Sequence, residues 1–197
     1  MNTLILVFGQ KDNGKSKFCD ALESQLELDR FDMPCILKEI VQDVLNLVPD
    51  ELDYFKKDGY FLVCGNNGEC KPKRYAFRKI LQMLGKEGLE RMGGNRYGLC
   101  MKMSERMMNS DKEVKLLDGC RYVDEETYFR SLASPNTRVV IVKIVRKKCK
   151  SLDAHSSERE VALVKADYLL ELDEVLNIKT TMNKEAKKLI KWLNEVQ

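Results

Sequence analysis

Gly9-Gln10-Lys11-Asp12-Asn13-Gly14-Lys15-Ser16 reads G-x-x-x-x-G-K-S without a mismatch. Leu4-Ile5-Leu6-Val7-Phe8 precedes it as an unbroken apolar run of strand length. After it Phe18, Cys19, Ala21, Leu22 and Leu26 recur at helical spacing. Strand, glycine loop and helix form the context in which this pattern binds phosphate. The glycines let the backbone curl so that successive N–H groups point inward, and the helix N-terminus adds positive potential. Gly9, Lys11, Asp12, Asn13, Gly14, Lys15 and Ser16 are therefore expected to bind the phosphates of a nucleoside triphosphate. In that pattern the lysine reaches the β- and γ-phosphates and the serine hydroxyl ligates Mg²⁺.

The 197 residues suit one domain with a full core. At 44% hydrophobic and 33% charged residues the chain is globular rather than disordered. A net charge of +3, from 34 basic and 31 acidic residues, is too mild to argue for a nucleic-acid or membrane partner, and it suits anionic small molecules. No apolar run approaches a membrane span, and Lys11 and Asp12 follow too soon after Leu4–Phe8 for a signal peptide. With seven cysteines and no export signal, reduced thiols and a cytoplasmic location are expected. Cys64-x5-Cys70 lacks a second ligand pair for structural zinc, so scattered thiols are the better reading.

Helical patterns alternate with apolar strands, which predicts an α/β fold with a mostly parallel sheet in three layers. A short second strand or extended passage is expected over 31–37, because Pro34 does not suit a helix interior, with a helix from Lys38 to about Val48. Residues 50–73 are rich in turn signals around a short strand at 60–64, and fit either a flap over an acceptor pocket or a surface hairpin. Further helices are predicted over 74–84, 96–109, 124–132 and 184–196. In the second of these Leu99, Cys100, Met103 and Met107 face inward, with methionine as gap-filling core. Strands are predicted over 113–118, 138–145 and 168–170. In such sheets ligands gather at the carboxyl ends of strands, so Gly9–Ser16, Asp118–Arg121 and Arg146 should line one edge.

Binding of a nucleoside triphosphate leaves its use open. A guanine-reading Asn-Lys-x-Asp is not matched by Asn183-Lys184-Glu185-Ala186, and a motor ATPase would place two carboxylates where only Asp118 stands. A small kinase needs cations around the γ-phosphate and a closed acceptor pocket. Arg74, Arg78, Arg91, Arg96, Arg121 and Arg146 lie in or beside expected strand-end loops, and the guanidinium fork suits phosphate oxygens. A non-catalytic nucleotide-binding module is the competing class.

Arg78-Lys79-Ile80-Leu81-Gln82-Met83-Leu84-Gly85-Lys86-Glu87 resembles the Arg-x-x-Leu-Gln-x-Leu-Gly-Thr-Glu block of the phage-type deoxynucleoside monophosphate kinases. Leu37-Lys38-Glu39 resembles their Leu-Lys segment. Asp118-Gly119-Cys120-Arg121 with Glu125 is similar to their strand-end Asp-x-Arg with a later Glu, and Asp153 to Glu158 to their Asp-x-His-x-Ser/Thr-Glu segment. Animal phosphomevalonate kinases share part of the pattern. Three positions depart from it: both Gly119 and Cys120 separate Asp118 from Arg121, Lys86 replaces a threonine, and Tyr97 is the nearest aromatic after Gly93-Gly94.

The resemblance implies transfer of the γ-phosphoryl of ATP to a (deoxy)nucleoside monophosphate with Mg²⁺, in a viral deoxynucleotide pathway. It implies Lys15, Asp118, Arg121 and Arg146 as catalytic residues, and Ser16 and Asp118 on the metal side. Lys38, Arg74, Arg78, Gln82, Glu125, His155 and Glu158 fall on the acceptor side. An acceptor-binding subregion is expected over about 50–112 and a lid over about 146–160, within one kinase domain. The partners implied are ATP and the acceptor, and a homodimer is compatible with this reading.

Overall fold

The apolar run at the N-terminus becomes the central strand, β1 (Asn2–Gly9), in which Leu4 to Phe8 are all fully buried. A strand covered on both faces reads as a continuous apolar stretch rather than an alternating one. From β1 the chain of the computed structural model passes through α1 (Lys15–Glu23), β2 (Asp29–Asp32), α2 (Cys35–Leu45), β3 (Tyr60–Val63) and β4 (Lys73–Ala76). It continues through α3 (Tyr97–Met108), β5 (Val114–Cys120), α4 (Val123–Arg130), β6 (Thr137–Arg146), α5 (Ser156–Leu163), β7 (Tyr168–Leu172) and α6 (Ile178–Glu195). The structure describes residues 1–45, 60–63, 73–76, 80–81, 83–84, 97–146, 156–172 and 177–196.

Two compact units result: Met1–Met33 with Leu99–Gln197, and Pro34–Gly98. The first holds a five-stranded sheet in the order β2-β5-β1-β6-β7, with every pairing parallel. This is the three-layer α/β fold expected from the alternation of patterns. On one face, Ile5, Val7, Leu116, Val140, Val142 and Ile144 pack against Phe18, Cys19 and Leu22 of α1 and Met182, Ala186 and Leu189 of α6. Each fully buried leucine or phenylalanine there contributes about 1.5–3 kcal/mol. The period of two sends Leu4, Leu6 and Phe8 to the opposite face. There Cys100, Met103 and Met107 of α3, Phe129 of α4 and Val161 of α5 are buried, and Ser104 Oγ and Tyr128 Oη join α3 to α4 at 2.9 Å. The inward stripe expected for α3 is thus the one observed. Among the described residues no helix is long and apolar enough to cross a membrane.

The second unit contains α2, with Ile36 and Val41 buried, and an antiparallel hairpin in which Tyr60 pairs with Ala76 and Val63 with Lys73.

Several boundaries differ from the sequence expectations. The second strand is Asp29–Asp32, and Cys35 to Leu37 already belong to α2. Pro34 stands just ahead of that helix, where its missing N–H is not needed, and its carbonyl accepts from Lys38 N at 3.1 Å. Arg74 to Ala76 form β4 rather than the start of a helix, because pairing with β3 takes them into a ladder; Ile80 and Leu81 are helical. Strand β6 runs on through Arg146, which pairs with Leu172 of β7. Helix α6 begins at Ile178 rather than Lys184, capped by Asn177, whose side chain accepts from Thr180 N at 3.2 Å, and Met182 is buried in the core.

Strand β5 continues past Asp118 to Cys120 through a bulge. Leu117 pairs with Leu6 and Cys120 with Phe8, so β5 advances by one residue more than β1. Gly119 takes the positive φ of 83° that the bulge requires. Simple alternation would put Cys120 on the face of Asp118. The extra residue returns it, fully buried, to the face of Phe8 and Leu117, so the two residues between Asp118 and Arg121 are absorbed inside the strand.

Candidate phosphate-binding site

The loop between β1 and α1 is built around two close approaches. A Cβ on Gly9 would lie 3.0 Å from the Ile144 carbonyl oxygen and 3.1 Å from Lys15 Cγ. Gly14 has φ 89° and serves as the N-cap of α1, and a Cβ there would lie 2.6 Å from Met182 Cε. Asp12 also takes a left-handed conformation, φ 62°, at the exposed tip of the loop. No side chain caps α1 and no acidic residue lies in its first turn. Its leading N–H groups and positive end are therefore directed at the loop interior, the arrangement that receives an anion.

Lys15 is almost buried, and its ammonium donates to the carbonyls of Gly9 at 2.6 Å and Gln10 at 2.8 Å. The charge is thereby placed inside the curl of the loop. Ser16 and Lys11 are exposed. Asn13 is buried; its Nδ2 donates to the Ile144 carbonyl at 3.1 Å, tying the loop to β6, while its Oδ1 is buried with no hydrogen-bond partner among the described residues.

Asp118 stands at the same edge, at the end of the neighbouring strand. Its Oδ1 accepts from Gly119 N at 2.7 Å, and its Oδ2 accepts from Arg30 Nη2 at 2.8 Å. Cys19, one helical turn beyond Lys15 and Ser16 on α1, lies near enough to this carboxylate for its charge to act on the thiol. Burial, and then the Asp118 charge, push the Cys19 thiol far above its ordinary value. Burial would lower the Arg30 guanidinium, but its bonds to Asp20 and Asp118 outweigh that and raise it, so it is a permanent cation. Arg30 did not stand out in the sequence; the available signal was an arginine inside a four-residue strand otherwise flanked by acids, Asp29-Arg30-Phe31-Asp32.

Arg121 and Glu125 follow β5 directly. Glu125 is fully buried, and its Oε2 accepts from Arg121 N at 2.7 Å and Tyr122 N at 3.0 Å. This is the reciprocal half of a capping box on α4. Glu125 therefore acts locally, fixing the turn from which Arg121 emerges. Arg146, the last residue of β6, lies two positions beyond Ile144, which pairs with Gly9. The loop, Asp118, Arg121 and Arg146 consequently stand at the carboxyl ends of β1, β5 and β6, on one edge of one sheet.

The remaining residues expected on the acceptor side fall in the second unit, in α5 or outside the described residues. Lys38 lies in α2 and Arg74 in β4, both in the second unit. Arg78, Gln82 and His155 lie outside the described residues, as do the side chains of Arg74 and Glu158; Glu158 is in α5. Cys64 and Cys70 also lie outside them. Among the described residues no group of three or more His, Cys, Asp or Glu is arranged to hold a metal.

No protein-family profile matches this chain. No curated protein matches it either. Solved structures do match over nearly the whole length. Dephospho-CoA kinase from Campylobacter jejuni aligns with a TM-score of 0.54 and 17% identity, over 99% of this chain and 98% of that one. TT1252 from Thermus thermophilus aligns with a TM-score of 0.53 and 14% identity, over 100% and 98%. At these identities the likeness defines the fold alone: the chain shares the three-layer α/β architecture of these structures.

Proposed function

We propose that this chain is a kinase that transfers the γ-phosphoryl group of ATP to a (deoxy)nucleoside monophosphate. The observation that carries the reading is the loop Gly9–Ser16, with its left-handed turn at Gly14, its inward Lys15 ammonium and an uncapped helix start behind it. It lies on a fold that also serves a dephospho-CoA kinase. Phosphoryl transfer asks little covalent chemistry of the protein; positioning and charge neutralisation supply most of the catalysis. Lys15 neutralises the β- and γ-oxygens, while the N–H groups of the loop and α1 hold them in line. Arg121 and Arg146 supply cations at the same edge, where charge spreads over the transferred group.

The donor set at the head of α1 fits Mg²⁺. Ser16 offers a hydroxyl and Asp118 a carboxylate, both hard oxygen donors, and Mg²⁺ typically takes only one or two protein ligands beside phosphates and water. When bound, the ion would neutralise β- and γ-phosphate charge. Asp118, held at both oxygens, is suited to orienting a metal-bound water or the acceptor. Support for a nucleoside monophosphate as acceptor comes from the Arg78–Glu87 block, and Lys38, Arg74, Arg78 and Gln82 are assigned to it; Glu125 contributes through the backbone turn it fixes. Residues 146–160 are proposed as a lid, with His155 and Glu158 orienting it and Arg146 at its base.

The test is acceptor-dependent ADP formation across a panel of ribo- and deoxynucleoside monophosphates, phosphomevalonate and dephospho-CoA. ADP released at the same rate without any acceptor would leave a hydrolase or a nucleotide-binding module, and the kinase reading would be abandoned. Turnover with phosphomevalonate or dephospho-CoA alone would keep the kinase and replace the acceptor.

A further inference from the structure

Arg30 belongs to the edge strand β2, yet its guanidinium joins three elements. Nη1 bonds Asp20 of α1 at 2.5 Å and lies 3.5 Å from Glu23 of the same helix, and Nη2 bonds Asp118 of β5 at 2.8 Å. The partners are not equivalent. The side chains of Asp20 and Glu23 are 65% and 52% exposed, so water can replace them; that of Asp118 is 9% exposed and that of Arg30 23%. Asp118 Oδ1 is already taken by Gly119 N at the bulge, so the orientation of Oδ2 depends on Arg30. A planar fork that spans two carboxylates fixes direction as well as charge, which a lysine does not. With both terminal nitrogens committed to carboxylates, Arg30 has a bracing geometry rather than a substrate-facing one.

We propose that Arg30 is a positioning residue for phosphoryl transfer: it holds the Asp118 carboxylate against the first turns of α1, and it acts on the reaction only through Asp118. The inference rests on the kinase reading above. Asp118 and the loop that leads to Ser16 follow neighbouring strands to the same edge of the sheet, and displacing a group of this kind by about 1 Å costs on the order of 100-fold in rate. The brace reaches the reaction without touching a substrate.

A double-mutant cycle tests it. Arg30→Gln should lower kcat about 10- to 100-fold at saturating substrates while KM for ATP stays within about threefold. Arg30→Lys should recover part of that loss. Asp20→Asn, which removes an exposed partner of Arg30 and leaves Asp118 in place, should stay within about twofold of the starting kcat. The decisive reading is Arg30→Gln combined with Asp118→Asn. If Arg30 works through Asp118, the double variant is no slower than Asp118→Asn alone; losses that multiply show an independent role and overturn the proposal. A raised KM for ATP at unchanged kcat overturns it too. All variants are assayed well below their thermal midpoints, and if Arg30→Gln does not stay folded, Arg30→Lys with Asp118→Asn runs the same cycle. A starting protein without acceptor-dependent turnover removes the kinase reading and the brace together. Turnover with multiplying losses removes the brace alone.

Discussion

Replacing Gly14 with alanine should destabilise the protein by about 2–3 kcal/mol, in two separable parts. The backbone holds φ at 89° there, and an L-residue in the left-handed region costs about 1–2 kcal/mol. The new methyl would also arrive 2.6 Å from Met182 Cε, with Ile178 Cδ1 at 3.5 Å behind it. The atom met is the far end of a flexible methionine buried in the core shared by α1 and α6, so it can shift, and the overpacking adds about 1 kcal/mol, the low end of such costs. Equilibrium urea unfolding reads the sum: at a slope of about 2 kcal/mol/M the midpoint should fall by about 1–1.5 M with the slope unchanged. In a Met182→Ala background the contact is gone, and Gly14→Ala should cost only the backbone part. The difference between backgrounds, about 1 kcal/mol, is the packing contribution. A cost within about 0.5 kcal/mol of zero in both backgrounds would refute the left-handed turn, and with it the inward aim of the loop N–H groups.

Lys15→Ala removes the ammonium held by the Gly9 and Gln10 carbonyls and should cut turnover with every acceptor by about 100-fold or more, whereas Arg78→Ala should mainly raise KM for the monophosphate. An Arg78 variant with weakened ATP binding and an unchanged acceptor KM would reverse the assignment of the two pockets. Glu125→Ala leaves the Arg121 and Tyr122 N–H groups without their acceptor and should cost about 1–3 kcal/mol by urea unfolding, with Glu125→Gln costing less; equal costs would count against the capping role. The buried thiols predict alkaline weakening. Burial raises Cys19 and Cys120 above the ordinary 9.0, so above about pH 9 the unfolded chain loses protons that the folded chain keeps. Stability from these groups is complete below pH 9 and declines as pH rises, by about 1.4 kcal/mol per pH unit for each thiol. Cys19→Ala should flatten that decline between pH 9 and 10.5, and an unchanged slope would contradict it.

Much of the site was legible because its signals are local. The loop's glycines, lysine and serine, the apolar run before it and the helical spacing after it all fall within about one β-α unit. Their consequences at Gly9, Gly14 and Lys15 follow from steric limits and hydrogen bonding over a few residues. The stripe Leu99, Cys100, Met103 and Met107 was equally plain, because a helix writes its buried face into adjacent turns. The helix expected to start at Arg74 and the strand expected over 31–37 failed for a shared reason: local propensity there is weak, and pairing of β3 with β4 or docking of Pro34 ahead of α2 outweighs it.

Tertiary packing decided the rest. The bulge at Gly119 exists only because β5 lies against β1, which forces Cys120 onto the face of Phe8. Arg30 matters only because β2 falls beside β5, 88 residues away, where its fork reaches Asp118. Met182 presses on Gly14 only because α6 packs across α1. The chain's local chemistry set the class of fold and the phosphate loop, since bond geometry and apolar periodicity act over a few residues. Which carboxylate is braced, which glycine is pinned and where the strand must bulge depend on strand order and helix docking. These are properties of the whole packed chain that no single stretch of residues contains.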